Sequence, residues 1–191
     1  MITTAAVFLD RDGTINIDNH YVHNIDNFFF IERVIHAMAQ VQRMGFILII
    51  VTNQSGIARG FFTEQQFLLL TKWMINYLKK YGVYIHAVYY CPHHIEGKVK
   101  KFQKFCFCRK PNPGMLFNAE KRFCINMKQS YIVGNSETDM LAGKLANVGT
   151  RIFICNNYDK IKKDVLFFSA DYIIENLTHL PSIINNKKCH L

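Results

Sequence analysis

The chain has 191 residues, half of them apolar and 14% aromatic, enough for one substantial core and too apolar for a disordered segment. Its apolar runs are far too short to cross a bilayer and no basic segment precedes an apolar one at its start, so no membrane association is expected and the cytoplasm is the expected compartment. The net charge of +9 suits an anionic ligand, while lysines scattered without an aromatic-interleaved stripe argue against nucleic acid as the partner.

Residues 6–10 read as a first strand, followed by a polar loop that contains His20 and Tyr21. Val34, Ile35, Met38 and Val41 share one helical face, which predicts a helix over 32–44 stopped by Gly45. Phe46 to Val51 is a continuous apolar run, as expected of a central parallel strand covered on both faces, and it opens into Thr52-Asn53-Gln54-Ser55-Gly56. Thr63 with Gln66 three residues on has the pattern of a capping box and begins a helix to about Lys80. Residues 83–90 supply a third strand, and 91–113 a long loop with little periodicity. A helix over 113–123, a strand over 130–133, a helix ending near Asn147 and a strand over 151–155 follow. An edge strand near Tyr172-Ile173 and a short helix close the chain. This alternation predicts an α/β fold with a doubly wound, mainly parallel sheet and helices on both faces, in a single domain over 1–191 with a short C-terminal extension. Without a coiled-coil pattern or an obvious exposed apolar helix, a monomer is expected.

Polar groups recur after successive strands: Asp10 and Asp12, Thr52 and Asn53, Arg109 and Lys110, Asn135 and Asp139. Doubly wound sheets gather such strand ends at one edge, where ligands bind. Carboxylates there can hold Mg²⁺ and supply a nucleophile, a threonine hydroxyl and nearby amides can hold phosphoryl oxygens, and a lysine offsets their charge. Two acids flanking Arg11 can divide phosphoryl transfer, one attacking phosphorus and the other managing the leaving group's proton.

Six cysteines in a chain expected in the cytoplasm do not suggest disulfides. Cys91 with His93 or His94, and Cys106 with Cys108, have the spacing of two chelating half-sites. Three thiolates and one imidazole make a closed tetrahedral Zn²⁺ shell, the pattern of a structural ion.

The segments FLDRDGTIN (8–16), YVHNIDNFFFI (21–31), VTNQSGIARG (51–60), YYCPHH (89–94), CFCRKPNPGML (106–116) and YIVGN (131–135) together resemble the haloacid dehalogenase-like phosphatases. More closely they resemble the heptose-bisphosphate phosphatases of that superfamily, relatives of the histidinol-phosphatase domain. The resemblance runs from about Ala6 to Phe153. It implies that Asp10 is the nucleophile, that Asp12 is general acid and then general base, and that Thr52 and Lys110 contact the transferred phosphate. Asn53, Arg59 and Arg109 are the implied contacts to the sugar or a second phosphate, with His20 and Tyr21 at the entrance. It implies a catalytic Mg²⁺ held by Asp10, Asp12 and the residue at 135, and a structural Zn²⁺ on Cys91, His93, Cys106 and Cys108. The substrate class implied is a small anionic sugar bisphosphate. Neither 12–52 nor 83–110 has room for a large cap domain, so short loops are expected to discriminate substrates.

The chain departs from the family at one point. Asn135 stands where the family has a Mg²⁺-binding aspartate, and Ser136 where near relatives have lysine. An amide oxygen can ligate Mg²⁺ but brings no charge. Asp139, or Glu137, is the expected compensating acid. The competing functions are hydrolysis of another small phosphomonoester, such as histidinol phosphate, and phosphosugar binding with weak catalysis.

Overall fold

The computed structural model describes residues 3–155 and 169–188. Among the described residues six strands form one sheet: β1 (Ala6–Leu9), β2 (Ile47–Asn53), β3 (Ile85–Cys91), β4 (Tyr131–Gly134), β5 (Thr150–Ile154) and β6 (Tyr172–Ile174). Their order is β3-β2-β1-β4-β5-β6, and every pairing is parallel. The chain winds outward from β1 to β3, then returns across the sheet to β4 and winds the other way. The C-terminal ends of β1, β2 and β4 therefore meet at a topological switch point, where open α/β sheets leave a crevice.

The side chains of the central strands alternate between two cores. Val7, Leu9, Leu48, Ile50 and Val133 pack with α1 (Val34–Arg43), α3 (Glu64–Lys80) and α6 (Leu180–Lys188). Ala6, Phe8, Ile49, Val51 and Ile132 pack on the opposite side with α4 (Gly114–Phe123) and α5 (Glu137–Leu145). Coverage on both faces explains why β2 is apolar without alternation. The strand extends two residues beyond the predicted run, so that Thr52 and Asn53 belong to it.

Helix ends follow the residues that set them. The Thr63 hydroxyl accepts from the Gln66 amide while the Gln66 side chain accepts from the Thr63 amide, a complete capping box at the start of α3. Gly45, with φ of +95°, lets the chain leave α1 directly into β2. The polar stretch Thr52 to Gly56, expected as a loop, runs into a short helix, α2 (Ser55–Arg59). The cysteine-bearing loop has only the single turn Lys100–Phe102 as regular structure, as its lack of periodicity suggests. The predicted edge strand is β6 and the predicted terminal helix is α6; the end of the C-terminal extension, including Cys189, lies outside the described residues. No helix among the described residues is long and apolar enough to cross a membrane.

Candidate active site

A cleft of about 400 Å³ opens at the switch point and is lined by Asp10, Asp12, His20, Tyr21, Thr52, Asn53, Arg109, Lys110, Asn135 and Asp139. Among the predicted catalytic, substrate-contacting and Mg²⁺-binding residues, Arg59 and the alternative compensating acid Glu137 lie outside this lining. Arg59 ends α2 and directs Nη2 to the His94 ring nitrogen at 3.0 Å, with Glu96 at 3.6 Å.

Asp10 leaves β1 with its amide donating to the Val133 carbonyl at 2.9 Å, which ties it to the end of β4. The next turn brings Gly13 against Asn135: a Cβ at Gly13 would lie 2.0 Å from the Asn135 amide nitrogen, and φ is +75°. Only glycine lets the Asp10 loop and the end of β4 approach this closely.

The centre of the cleft is a charge network around Lys110, which is 3% exposed. Its ammonium donates to Asp10 Oδ1 at 2.9 Å, to the Val51 carbonyl at 2.7 Å and to Asp139 Oδ1 at 2.5 Å. Burial works against the ammonium, but Asp10 and Asp139 outweigh it and hold its pKa above the usual lysine value. Burial pushes Asp10 up to about 7; Lys110 opposes the shift, while Asp139 and Asp12 add to it. A buried carboxyl beside two further acids, with one ammonium among them, is a natural place for a further cation.

Asp139 is committed to structure on both oxygens. Oδ1 takes Lys110 and Oδ2 accepts the Ser136 amide at 3.1 Å, closing a capping box at the start of α5. Gly134 makes room for it, because a Cβ there would lie 2.2 Å from Asp139 Oδ2. Asn53 is similarly engaged: its side-chain amide accepts from the Lys110 backbone N–H at 3.1 Å and donates to the Lys110 carbonyl at 3.0 Å. Here Asn53 fixes the backbone that carries the lysine.

Asp12 is held by residues that motif reasoning passed over. Arg11, Gln54 and Asn16 all donate to its carboxylate. Gln54 also donates to the Thr52 hydroxyl at 2.9 Å. The sequence offered one signal for Arg11, a cation directly between two acids at the end of an apolar strand.

Tyr21 and His20 lie on the exposed entrance loop, and the Tyr21 ring contacts Phe61 with centroids 4.5 Å apart. Arg109 lines the cleft and also an adjoining pocket of about 410 Å³, with one guanidinium nitrogen 3.4 Å from the His93 carbonyl.

Cys91, His93, Cys106 and Cys108 converge immediately before Arg109, with every potential ligand atom within 4.8 Å of the others. The Sγ atom of Cys106 lies 3.4 Å from that of Cys91 and 3.3 Å from that of Cys108, and His93 Nδ1 is 3.4 Å from Cys108 Sγ. A Zn–S bond of about 2.3 Å sets sulfur ligands ~3.8 Å apart at tetrahedral angles, so the cluster fits one ion with modest adjustment. Burial pushes the Cys91 thiol up and the His93 imidazole down. The first disfavours a free thiolate; the second keeps the imidazole neutral, as a ligand must be.

A family model described as polynucleotide kinase 3 phosphatase matches residues 6–173. The chain is 48% identical to the D-glycero-beta-D-manno-heptose-1,7-bisphosphate 7-phosphatase of Yersinia pestis, over 94% of each protein. It is 49% identical to the protein of that name from Escherichia coli K12, over 96% of this chain and 95% of that one. Among solved structures, the D,D-heptose 1,7-bisphosphate phosphatase of B. bronchiseptica, complexed with magnesium and phosphate, superimposes with a TM-score of 0.83 at 25% identity, covering 96% of this chain and 99% of that one.

Proposed function

Since the chain belongs to the D-glycero-β-D-manno-heptose-1,7-bisphosphate 7-phosphatase family of haloacid dehalogenase-like hydrolases, we propose that it removes the 7-phosphate of that sugar bisphosphate in a Mg²⁺-dependent reaction. The observation that carries the reading is Asp10 at the end of β1, bridged to the buried ammonium of Lys110 and beside Asp12 in one cleft.

Asp10 attacks phosphorus, the bond from phosphorus to the sugar oxygen breaks, and Asp12 protonates that oxygen as it leaves. Asp12, now a carboxylate, takes a proton from the water that hydrolyses the aspartyl-phosphate, which restores Asp10 and releases phosphate. Lys110 stabilises charge on the transferring oxygens, and the Thr52 hydroxyl is placed to hold one of them. Asn53 acts through Lys110. Arg109 is the cation best placed for the sugar or its second phosphate, with His20 and Tyr21 at the mouth. Arg59 stands outside the cleft, holding His94 and Glu96.

The donor set fits Mg²⁺. Asp10 is a buried carboxyl with raised proton affinity, and Asp12 and Asn135 bring further oxygens to the same cleft. The ion would supply positive charge against the phosphoryl group. Asp139 supports the site through Lys110, so the Asn135 substitution leaves it one negative charge poorer, and weaker cation affinity follows.

The cysteine cluster binds a structural Zn²⁺ that orders the 91–108 loop and thereby fixes Arg109 and Lys110. Its thiolates need a reducing compartment, which fits the cytoplasm. We take the chain as one domain over 1–191, acting as a monomer.

Steady-state phosphate release with Mg²⁺ tests the assignment on heptose 1,7-bisphosphate, histidinol phosphate and an oligonucleotide 3′-phosphate. Preference for the bisphosphate, abolished in Asp10→Asn, is expected. Faster hydrolysis of either competitor would overturn the substrate assignment. Binding of the bisphosphate without turnover would overturn the assignment of catalysis.

A further inference from the structure

Arg11 separates the two acids and is 1% exposed, so its charge has been taken almost wholly out of water. A guanidinium does not shed its proton to escape that cost, and it needs partners of fixed geometry. Its fork meets both oxygens of Asp12: Nη2 lies 2.9 Å from Oδ1 and 2.8 Å from Oδ2, and Nε lies 3.2 and 3.1 Å from the same atoms. The fork is itself fixed. Nη2 donates to the Val22 carbonyl at 2.7 Å, and the guanidinium carbon sits 5.5 Å from the centroid of the Phe67 ring on α3. Asn16 donates to Asp12 Oδ1 at 3.0 Å, and Gln54 to Oδ2 at 3.0 Å. The carboxylate is thus oriented by three side chains, while a fifth of the Asp12 side chain remains exposed and Asp12 lines the cleft.

We propose that Arg11 is a positioning residue for proton transfer, setting the Asp12 carboxyl so that its proton reaches the departing sugar oxygen as the phosphorus–oxygen bond breaks. The proposal rests on the reading of Asp12 as the acid. A planar bidentate fork fixes the carboxyl's plane as well as its position, which a lysine ammonium cannot do.

The leaving group separates positioning from mere stability. A sugar alkoxide needs a proton to leave, whereas the aryloxide of p-nitrophenyl phosphate does not, so only the first reaction depends on an oriented acid. We expect Arg11→Lys and Arg11→Gln to lose on the order of 100-fold in kcat/KM on the sugar phosphate and less than about threefold on the aryl ester. Equal losses on both substrates would overturn the proposal. In an Asp12→Asn background, Arg11→Lys should cost nothing further on the sugar phosphate; additive losses would also overturn it.

If neither Arg11 variant folds, Phe67→Leu withdraws the ring beneath the guanidinium and leaves the ion pair. A severalfold loss confined to the sugar phosphate then supports the proposal, and an equal change on both substrates contradicts it. Asp12→Asn alone tests the underlying reading. If it depresses both substrates equally, Asp12 is not the acid. If it is selective for the sugar phosphate and the Arg11 variants are not, only the Arg11 proposal fails.

Discussion

Replacing Asp139 with asparagine removes one charge from the Lys110 network while keeping the side-chain shape. Asparagine keeps one acceptor oxygen, so it can serve the Ser136 amide or Lys110 but not both; with the helix cap retained, the loss falls on the bond and the charge facing Lys110. Lys110 is 3% exposed and Asp139 1%, so water screens the pair poorly. Removing one partner of such a pair typically costs about 3–5 kcal/mol, because the remaining charge stays buried. Asp10 remains 2.9 Å from the ammonium and compensates in part, which brings the expected loss to about 2–3 kcal/mol. For a chain of this size each kcal/mol moves Tm by about 2–4 °C, so Asp139→Asn should melt roughly 5–10 °C lower. Asp139 is also one of the charges that push Asp10 up, so the variant's Asp10 should ionise at lower pH. Thermal unfolding followed by circular dichroism, with and without Mg²⁺, reads the stability effect. Melting within about 1 °C of the parent would refute the claim that Asp139 stabilises the buried lysine.

Asn135→Asp restores a carboxylate to the cleft and should tighten Mg²⁺ binding about tenfold, read by titration calorimetry; unchanged affinity would remove residue 135 from the metal site. Stripping Zn²⁺ with a chelator should lower Tm and expose the thiols of Cys91, Cys106 and Cys108 to a thiol reagent, and Zn²⁺ should restore both; a purified protein without the metal that melts identically would contradict the structural role. In the metal-free protein Asp10 titrates at about 7 against 3.8 for the free side chain, so between these values the native state holds a proton that the unfolded chain has released. Its contribution to stability is therefore greatest in acid and declines as pH rises from about 4 to about 7. Mg²⁺ must displace that proton, so its apparent affinity should fall about tenfold per pH unit below 7, with buffer-dependent proton release in calorimetry; pH-independent binding would contradict this.

Local patterns in the sequence carried the architecture because local chemistry set it. The apolar run of β2 reflected coverage by helices on both faces, and Thr63 with Gln66 produced the capping box it suggested. Helix α2 was hidden because Ser55 and Gly56 are weak helix formers, and its burial with Phe62 and Phe67 is a tertiary effect. The cleft residues could be gathered from strand ends, since a doubly wound topology fixes where those ends meet. Their individual duties were less legible. Asn53 bonds to a residue 57 positions away, and Asp139 to one 29 away, so neither partner could be inferred from spacing. Arg59 shares a motif with cleft residues, yet α2 carries it to His94. The Arg11 fork became visible only when Val22, Phe67 and Gln54 were seen to surround it.

The central claim is that phosphate passes through Asp10. The most direct test is rapid acid quench of a single turnover with substrate labelled at the 7-phosphate, followed by borohydride reduction and peptide mapping. The account predicts label on the protein at early times and reduction of residue 10 to homoserine, with neither in Asp10→Asn. Full turnover without label or reduction at residue 10 would contradict it.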